Sequence, residues 1–405
     1  MTDRAQTLGI YVDGPFGVVE TPEGRRVATD AADFPFLTFA CEVGGHFART
    51  VLFGRAHPDL PRDVPLLLRA GVELAPLPPY DDLSRIGQVA RATLGTARGF
   101  WRGLATTDVV WVTGPHPFSF LLVALALVRR RRVVLGVRQD TVEYFRSRLP
   151  GRHWQPVLLA ARGLDAAFRA LSRILPTTVV GPEIEHRYGG PRASLLRIAV
   201  SLVRDADLVS APARHPSADR VSLFTVGRID QEKNPLLLVE AMAALERLRP
   251  GRYFLAWAGT GALEGAVRAR AAELGVSDRI EFLGFVPFGP ELLRRYREAD
   301  LFVHVSRTEG VPAVLIEAFA SGTPVVATDV GGVATAVDGG RAAILVPPAD
   351  LDALVAAVLR VTEEPELHRR LSARGPELAR ECTLERQSAR IAAFARGGAR
   401  GTGRP

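Results

Sequence analysis

Lysine, cysteine and long apolar runs are scarce in this chain of 405 residues. Among its 51 Lys+Arg residues only Lys233 is a lysine, and its two cysteines, Cys41 and Cys382, stand far apart. The chain has no CxxC pair and no Cys/His ligand spacing, which argues against a metal site of that kind. Two isolated cysteines suit a reducing compartment.

The apolar runs are too short for a transmembrane helix. The longest, FSFLLVALALV at 118–128, is about half of the ~20 residues that a spanning helix needs, so we interpret it as a buried helix. The N-terminus, MTDRAQTLGIYVDG, lacks the apolar core of a signal peptide. These features favour a cytoplasmic protein.

The formal net charge is +7, and the basic residues are dispersed except for one run from Arg129 to Arg132. A solvated helix C-terminus, which the helix dipole favours, explains this run better than a nucleic-acid patch. The sharper alternative is a basic face that rests on an anionic membrane.

Short apolar runs alternate with helix-like stretches in both halves of the chain. The first half has predicted strands at 8–12, 49–54, 108–114, 132–137 and 177–181, with helices at 34–46, 84–103, 117–130 and 154–173. The second half has predicted strands at 221–227, 253–259, 280–284, 301–306, 324–329 and 342–347, with helices at 234–247, 262–274, 289–298, 313–321, 332–338 and 350–361. This alternation predicts an α/β fold of two Rossmann-like, doubly wound parallel-sheet domains that face each other across a cleft.

The stretch RDADLVSAPARHPSADR, at 204–220, interrupts the alternation with prolines, small residues and charges. It is typical of a linker. We therefore predict a first domain at 1–205, a linker at 206–220 and a second domain at 221–375. A helix at 376–396 follows without a further strand, and the tail 397–405 is predicted to be disordered.

The most informative segment is VSRTEGVPAVLIEAFASGTPVVATDVGG, at 305–332. An apolar strand, a loop with Glu309-Gly310 and a helix that opens near Pro312 form an anion site, because unpaired backbone N–H groups and the helix dipole favour negative charge. Glu317 lies in the middle of that apolar helix and needs a partner if it is buried. A glutamate that faces solvent is the alternative.

This segment resembles the retaining glycosyltransferases of family 4, which have the GT-B fold. The family's pattern stands here as Glu309-Gly310, Glu317-Ala318 and Gly322-Thr323-Pro324-Val325-Val326. The upstream motifs VGRIDQEKNP, WAGTG, FLGFVP and YREADLFVHVS follow in the family's order. The resemblance is strong over 221–375, whereas the first half matches only in its alternation and a few loops.

The resemblance implies a nucleotide-sugar site in the second domain and an acceptor site in the first. It also implies that the helix at 376–396 crosses back to the first domain. It assigns Glu309 to the sugar hydroxyls and Glu317 to the ribose. It makes Arg228 and Lys233 a basic pair for the diphosphate, whose growing charge two fixed cations stabilise most in the transition state. The other implied donor contacts are Gly227, Phe285, Val286, Gly310, Val311, Pro312, Ala313 and Val314. Core packing is the alternative for Phe285 and Val286.

The first domain carries a weaker version of the pattern. DGPFG, at 13–17, resembles the family's donor-facing glycine loop, which implies contacts at Gly14 and Gly17; turn geometry is the alternative. Arg138 stands where many members have a histidine that bonds the donor sugar, so the sugar's identity stays open. His116 could compensate, although a cap on the following turn explains it better.

No acidic pair stands out as a metal site, and we interpret DAD at 205–207 as a chance match to a metal-binding motif. The resemblance implies a hexosyltransferase that needs neither metal nor cofactor. Its co-substrate would be a UDP- or GDP-linked sugar, and its acceptor a hydroxyl of a glycan, a lipid-linked molecule or a small molecule. Glycan, cell-envelope polysaccharide or glycolipid synthesis is the implied setting. The basic run at 129–132 leaves open a peripheral contact with the inner face of an anionic membrane, and we expect no nucleic-acid partner.

Two other functions stay open. One is a nucleotide-sugar-binding GT-B protein without transferase activity, which the replacement by Arg138 favours. The other is a GT-B epimerase, which would need carboxylate or histidine bases and fits the Glu309/Glu317 pattern poorly. A phosphorylase that holds pyridoxal phosphate would need a buried Schiff-base lysine, whereas Lys233 lies in a phosphate-binding context.

Overall fold

Alternating strands and helices build two α/β units. The computed structural model describes residues 6–21, 24–29, 34–56, 65–67, 72–81, 85–148, 151, 154–190, 194–210, 215–217 and 219–398. The first unit combines the chain up to Val200 with the C-terminal segment from Leu384, and the second unit is Ser201–Thr383.

The first unit contains a nine-stranded sheet. Its strands are Thr7–Thr21 (β1), Gly24–Thr29 (β2), Arg49–Ala56 (β3), Pro65–Leu67 (β4), Val72–Leu77 (β5), Val109–Gly114 (β6), Arg132–Val137 (β7), Thr177–Val180 (β8) and Leu195–Ile198 (β9). Its first six helices are Phe34–Gly44 (α1), Ile86–Gly103 (α2), Pro117–Val128 (α3), Thr141–Arg148 (α4), Gln155–Ser172 (α5) and Pro182–Tyr188 (α6).

Seven of these strands are parallel, in the order β5-β3-β1-β6-β7-β8-β9. Strand β1 is longer than its neighbours. Its first part pairs with β3 and β6, and from Phe16 onward it pairs antiparallel with β2, which in turn pairs with β4. The chain order reverses between β1 and β6, which makes this pair the topological switch point of the sheet.

The second unit has six parallel strands in the order β12-β11-β10-β13-β14-β15. They are Val221–Val226 (β10), Tyr253–Ala258 (β11), Ile280–Gly284 (β12), Leu301–His304 (β13), Val325–Thr328 (β14) and Ala343–Val346 (β15). The helices are Pro235–Leu248 (α7), Glu264–Glu273 (α8), Pro290–Glu298 (α9), Ala313–Ala320 (α10), Val333–Ala336 (α11), Leu351–Glu363 (α12) and Pro365–Glu381 (α13). Counted along the chain, the order is 3-2-1-4-5-6, that of dinucleotide-binding folds.

The predicted parallel sheets are confirmed, and each predicted strand is present within two residues of its ends except β1, which extends further. The apolar run at 118–128 is part of α3, whose Leu122, Val123 and Ala126 are buried. Among the described residues, no helix combines the length and apolar composition needed to cross a bilayer. The predictions missed β2, β4, β5 and β9 and the short helices α4 and α6.

The single helix predicted at 376–396 is wrong. The structure has α13, which continues through Pro376, and a separate helix Leu384–Arg396 (α14). A proline in mid-helix loses one backbone hydrogen bond, which favours a boundary there. Packing overrides this cost: a Cβ on Gly375 would lie 3.1 Å from the Cα of Phe319, so α13 crosses α10 at close range.

Helix α14 belongs to the first unit, where side chains and backbone bind it to three different elements. His46 Nε2, just after α1, lies 3.0 Å from Ser388 Oγ. Arg132 donates from Nε to the Ala395 carbonyl at 2.7 Å, and Gln387 Oε1 accepts from the Ala199 amide at 3.1 Å. In the predicted tail, residues 399–405 lie outside the described residues.

Glycines connect the loops that follow β10, β11 and β12. Gly259 donates its N–H to the Gly284 carbonyl at 2.7 Å, and Gly227 donates to the Ala258 carbonyl at 3.0 Å. Gly259 has a φ of +145°, and a Cβ there would lie 2.0 Å from the Gly227 carbonyl oxygen. Only glycine fits this position.

We therefore expect Gly259→Ala to destabilise the second unit by at least about 2 kcal/mol, because both strain and backbone overlap oppose the methyl group. Chemical denaturation measures this loss. The control is Gly265→Ala in α8, where a Cβ meets nothing within 4 Å and alanine should be neutral or stabilising. Equal stability of the two variants would contradict the close approach.

Candidate functional site

The carboxyl edge of the second sheet gathers most of the predicted site residues. In an open parallel sheet the loops after the strands meet at this edge, where ligands bind. Gly227, Arg228 and Lys233 follow β10, whereas Phe285 and Val286 follow β12. Residues 309–314 lie in the loop after β13 and in the first turn of α10. Glu317 lies further along α10.

Lys233, Glu309 and His304 form the centre of this edge. The Lys233 ammonium makes a short ion pair with Glu309 Oε1, and His304 Nε2 lies 3.0 Å from the same oxygen. All three side chains are mostly shielded from solvent. The sequence prediction placed Lys233 beside a phosphate and Glu309 beside a sugar, and the structure shows that the two contact each other directly.

Electrostatics keep Glu309 ionised. Burial raises the pKa of this carboxyl, but the close contact with His304 and the positive charge of Lys233 outweigh burial and bring the pKa down to about 2. Glu309 is therefore a carboxylate at every physiological pH and can only accept hydrogen bonds.

His304 was not among the predicted site residues. It is the last residue of β13, where a polar side chain closes an otherwise apolar buried run and reaches the ligand edge. A histidine at the carboxyl end of a buried parallel strand is a usable signal, and the motif DLFVHVS contains it. Its contact with Glu309 fixes the orientation of that carboxylate.

Asn234, the chain's only asparagine, was also missed. It directly follows Lys233 and adopts a left-handed conformation, with φ 50° and ψ 49°, which asparagine tolerates better than most residues. Its Oδ1 accepts from the Arg307 guanidinium at 3.0 Å, and the Arg307 amide donates to the Glu232 carbonyl at 2.8 Å. These bonds connect the lysine loop to the glutamate loop.

Arg228 is placed differently from Lys233. Its side chain is 54% exposed and contacts Glu232 at 2.9 Å and Asp230 at 3.2 Å. The sequence predicted two cations available to one diphosphate. In the structure each cation has an acidic partner, so an incoming phosphate would compete with carboxylates for both.

The N-terminus of α10 is open to an anion. Pro312 caps it without a side-chain hydrogen bond, and its first turn contains no acidic residue. Gly310 is exposed, and a Cβ there would meet nothing within 4 Å. Val311, Ala313 and Val314 are half-buried around it. The free amides of this turn and the helix dipole together favour negative charge.

Glu317 is buried and has the partner that its setting requires. The Tyr296 hydroxyl, on α9, donates to Oε2 at 2.9 Å. No described residue donates to the other carboxylate oxygen. Burial raises the pKa of Glu317 to about 7, although the bond from Tyr296 lowers it in part. The solvent-facing alternative for Glu317 is therefore wrong.

Phe285 extends from the loop after β12 and is 56% exposed, whereas Val286 is half-buried. Gly284, with φ +69°, makes the turn that brings them out of the strand. Core packing, the alternative explanation for Phe285, does not apply to so exposed a ring. An exposed aromatic face at a ligand edge can stack on a planar base.

The predicted residues of the first unit lie on separate elements. Gly14 and Gly17 are within β1, not in a loop: the strand is irregular between Tyr11 and Pro15 and then continues. Arg138 follows β7 and its guanidinium stacks on the Phe36 ring at 3.7 Å. His116 caps α3, as expected, because its Nδ1 accepts from the Phe118 amide.

His116 also joins a polar cluster that lies beside the irregular part of β1 and at the carboxyl ends of β3, β5 and β6. Asp13 lies at its centre: Oδ1 accepts from the Tyr80 hydroxyl at 2.7 Å and from the Tyr11 hydroxyl at 3.1 Å. Arg55 Nε lies 3.3 Å from Oδ1, and His116 Nε2 lies 3.2 Å from Oδ2. Burial lowers the pKa of His116. Because Nδ1 accepts from the Phe118 amide, the neutral imidazole carries its proton on Nε2, toward Asp13.

The DAD triplet has a structural role. It forms a single 3₁₀ turn in which Asp207 Oδ2 accepts from the Arg204 amide at 2.8 Å. Within the described parts of the chain, no group of three or more His, Cys, Asp or Glu side chains could hold a metal ion.

The raised pKa of Glu317 has a consequence for stability. Between the usual glutamate pKa of 4.5 and about 7, the folded protein binds this proton and the unfolded chain does not. Stability therefore falls as pH rises through this window. In Glu317→Gln we expect the free energy of unfolding to fall less across this window, by on the order of 3 kcal/mol.

Chemical denaturation at both ends of the window measures this difference. Glu281→Gln, at an exposed position of β12, is the matched control and should keep the pH dependence of the parent. Identical pH dependence in the parent and Glu317→Gln would contradict a proton on the buried carboxyl.

Residues 211–378, which include the whole carboxyl edge of the second sheet, match the family model of glycosyl transferases group 1. A D-inositol 3-phosphate glycosyltransferase of Saccharomonospora viridis is 38% identical over 177 residues, which is 42% of this chain and 41% of that relative. The chain thus aligns with less than half of that relative's length.

Two solved structures share the fold of the whole chain. Sucrose-phosphate synthase from Thermosynechococcus elongatus has a TM-score of 0.70 at 18% identity, covering 97% of this chain and 98% of its own. Anabaena HepE in complex with UDP has a TM-score of 0.65 at 16% identity, covering 97% and 100%. The chain therefore has the GT-B fold, and its residues 211–378 are similar to the glycosyl transferases group 1.

Proposed function

We propose that this protein is a retaining glycosyltransferase that moves a hexosyl group from a nucleotide-diphosphate sugar to an acceptor hydroxyl. The observation that supports it best is the group of Lys233, Glu309 and His304 beside the open N-terminus of α10. A cation and free amides suit a diphosphate, and an ionised carboxylate suits sugar hydroxyls.

In this proposal, Lys233 and Glu309 give up their mutual contact when the donor binds, and each takes a new partner on the donor. The diphosphate takes Lys233 and the α10 amides, which releases Glu309 to accept from hydroxyls of the sugar while His304 keeps it oriented. Arg228 is the second cation, after it exchanges Glu232 and Asp230 for phosphate oxygens. Because negative charge grows on the diphosphate as the sugar leaves, both cations bind the transition state better than the ground state.

The nucleoside is held by the remaining groups of the second unit. The carboxylate oxygen of Glu317 that has no protein donor would accept from ribose hydroxyls, with Tyr296 fixing the other oxygen. Phe285 and Val286 would border the base, and Gly227 and residues 310–314 would line the diphosphate. HepE is crystallised with UDP, and we propose a UDP- or GDP-linked donor for this chain.

Retention is proposed to follow same-face attack. The bond from the anomeric carbon to the phosphate oxygen breaks as the acceptor oxygen bonds to the same face. The acceptor proton passes to the departing phosphate oxygen. Lys233, Arg228 and the helix dipole supply the positive charge, so we propose no divalent metal and no cofactor.

The acceptor is assigned to the first unit. The cluster around Asp13 lies where β1 becomes irregular, beside the carboxyl end of β6 and thus at the switch point of that sheet, where open α/β folds bind ligands. Four neighbouring groups orient the carboxylate, which can accept from a hydroxyl. Gly14, Gly17 and Arg138 are proposed as further contacts of the donor. Glycan, cell-envelope polysaccharide or glycolipid synthesis is the proposed setting, on the cytoplasmic side of the membrane.

Replacing Lys233 tests the leaving-group role. We expect Lys233→Ala to lower sugar transfer by roughly 10²–10³-fold, because a preorganised cation is lost where charge develops. The thermal midpoint should change little by comparison. The assay follows nucleotide release from UDP- and GDP-sugars in the presence of EDTA, and NMR of the product reports the anomeric configuration.

Arg268→Ala is the control, since Arg268 is an exposed arginine that pairs with Glu264 on α8. Parental turnover in Lys233→Ala would refute the leaving-group role. Nucleotide binding without turnover in the parent would favour the non-catalytic alternative, and conversion of the donor sugar to its epimer would favour the epimerase.

Replacing groups of the Asp13 cluster tests the acceptor assignment. We expect Asp13→Asn to raise the acceptor KM by roughly tenfold or more, because a charged hydrogen bond is lost. Donor affinity, measured by calorimetry, should not change. Tyr80→Phe is the milder variant, and Tyr253→Phe, whose hydroxyl contacts Thr362 in the second unit, is the control. An unchanged acceptor KM in folded Asp13→Asn would rule out this assignment.

A further inference from the structure

Helix α2 turns a mixed basic and apolar face to solvent. Leu94, Arg98, Trp101 and Arg102 follow one another at the spacing that places side chains on one side of a helix. Leu94 is 60% exposed and Trp101 is 43% exposed, although tryptophan is normally among the more buried residues. The opposite side of α2 is in the core, where Phe100 is fully buried.

The end of α3 continues this face. Arg129 stacks on the Trp101 ring at 3.8 Å, and Arg131 donates from Nε to the Leu104 carbonyl at 3.1 Å. These contacts hold the carboxyl ends of α2 and α3 side by side. Leu127 and Val128 are exposed next to them. We define the α2–α3 surface as the side chains of eight residues: Leu94, Arg98, Trp101, Arg102, Leu127, Val128, Arg129 and Arg130.

Its charge is one-sided. Residues 85–138 contain nine arginines and one acidic residue, which gives +8, against +7 for the whole chain. The single acid, Asp108, accepts from the Thr7 amide at 3.0 Å. Among the described residues, no carboxylate pairs with Arg98, Arg102, Arg129 or Arg130. By contrast, surface arginines of the second unit form ion pairs with carboxylates; Arg294, for example, pairs with Glu291 and Glu298.

Unpaired arginines beside exposed tryptophan, leucine and valine match one kind of partner. Nucleic acid offers phosphates to the arginines but no apolar layer to the aliphatic side chains. An anionic bilayer offers both, because guanidinium groups reach lipid phosphates while tryptophan and aliphatic tips enter the interface. A helix that lies on the interface needs no spanning length.

We propose that the α2–α3 surface docks the protein on a bilayer that contains anionic lipid. Trp101 and the aliphatic tips of Leu94 and Val128 enter the headgroup layer, and Arg98, Arg102, Arg129 and Arg130 bind lipid phosphates around them. Docking through this surface is independent of sugar transfer, because none of these residues belongs to the proposed donor or acceptor site.

Vesicle flotation of the full chain tests the proposal. We expect binding to vesicles of phosphatidylcholine with phosphatidylglycerol at low salt, loss of binding at high salt, and no binding to phosphatidylcholine alone. The charge variant Arg98→Gln/Arg102→Gln and the apolar variant Trp101→Ser/Val128→Ser should each lower the vesicle affinity by roughly tenfold or more. The charge variant loses the attraction of two arginines to lipid phosphates. The apolar variant loses two side chains that enter the interface.

The matched controls are Arg268→Gln/Arg360→Gln and Leu248→Ser, at exposed positions of the second unit, and they should bind vesicles like the parent. Thermal midpoints establish that each variant is folded. The proposal is overturned if the parent does not bind anionic vesicles at low salt, or if surface and control variants bind equally. Binding to an oligonucleotide but not to vesicles would overturn it in favour of nucleic acid.

Discussion

Parallel pairing of neighbouring strands is the constraint on which the rest of this structure depends. A parallel pair needs a crossover, and repeated crossovers of one hand carry every strand's carboxyl end to the same edge of its sheet. Residues as far apart in sequence as Lys233 and Glu309 therefore meet, as do Asp13, Tyr80 and His116 in the first unit. Glycine positions such as Gly259 then let the converging loops approach each other without side chains between them.

Neighbouring charges determine which side chains are ionised at the carboxyl edge of the second sheet. Lys233 and Arg228 both have acidic partners in the structure, so neither of these two cations lacks a countercharge. Glu309 and Glu317 show opposite outcomes for the same side chain. A lysine and a histidine beside Glu309 keep it ionised, whereas Glu317 has a phenol as its partner and its pKa rises to about 7. Position relative to fixed positive charge, not burial alone, separates the two.

The sequence predicted the sheets well because buried parallel strands are short apolar runs that local composition reveals. It failed where tertiary contacts override local preference, as at Pro376, which α13 tolerates because Gly375 packs on Phe319. The candidate site was predictable for residues that carry a motif, such as Glu309 and Lys233. His304 lies within the motif YREADLFVHVS, but its relevance depends on a contact between the strand end and the following loop, which the motif does not reveal. The pairing of Arg228 with Glu232 depends on side-chain rotamers, which sequence spacing does not determine.

The return of α14 to the first unit makes the order of synthesis matter. The second unit is one continuous stretch, Ser201–Thr383, and its sheet and helices are complete before Leu384 leaves the ribosome. The first unit is discontinuous: the groups that receive α14, including His46, Arg132 and Ala199, are made long before their partners. During translation, the surface of the first unit against which α14 packs therefore stays exposed until that helix is made. A ribosome that stops early would release a chain with a finished second unit and without the buried apolar side chains of α14, such as Ile391 and Phe394, which leaves apolar surface of the first unit exposed to chaperones.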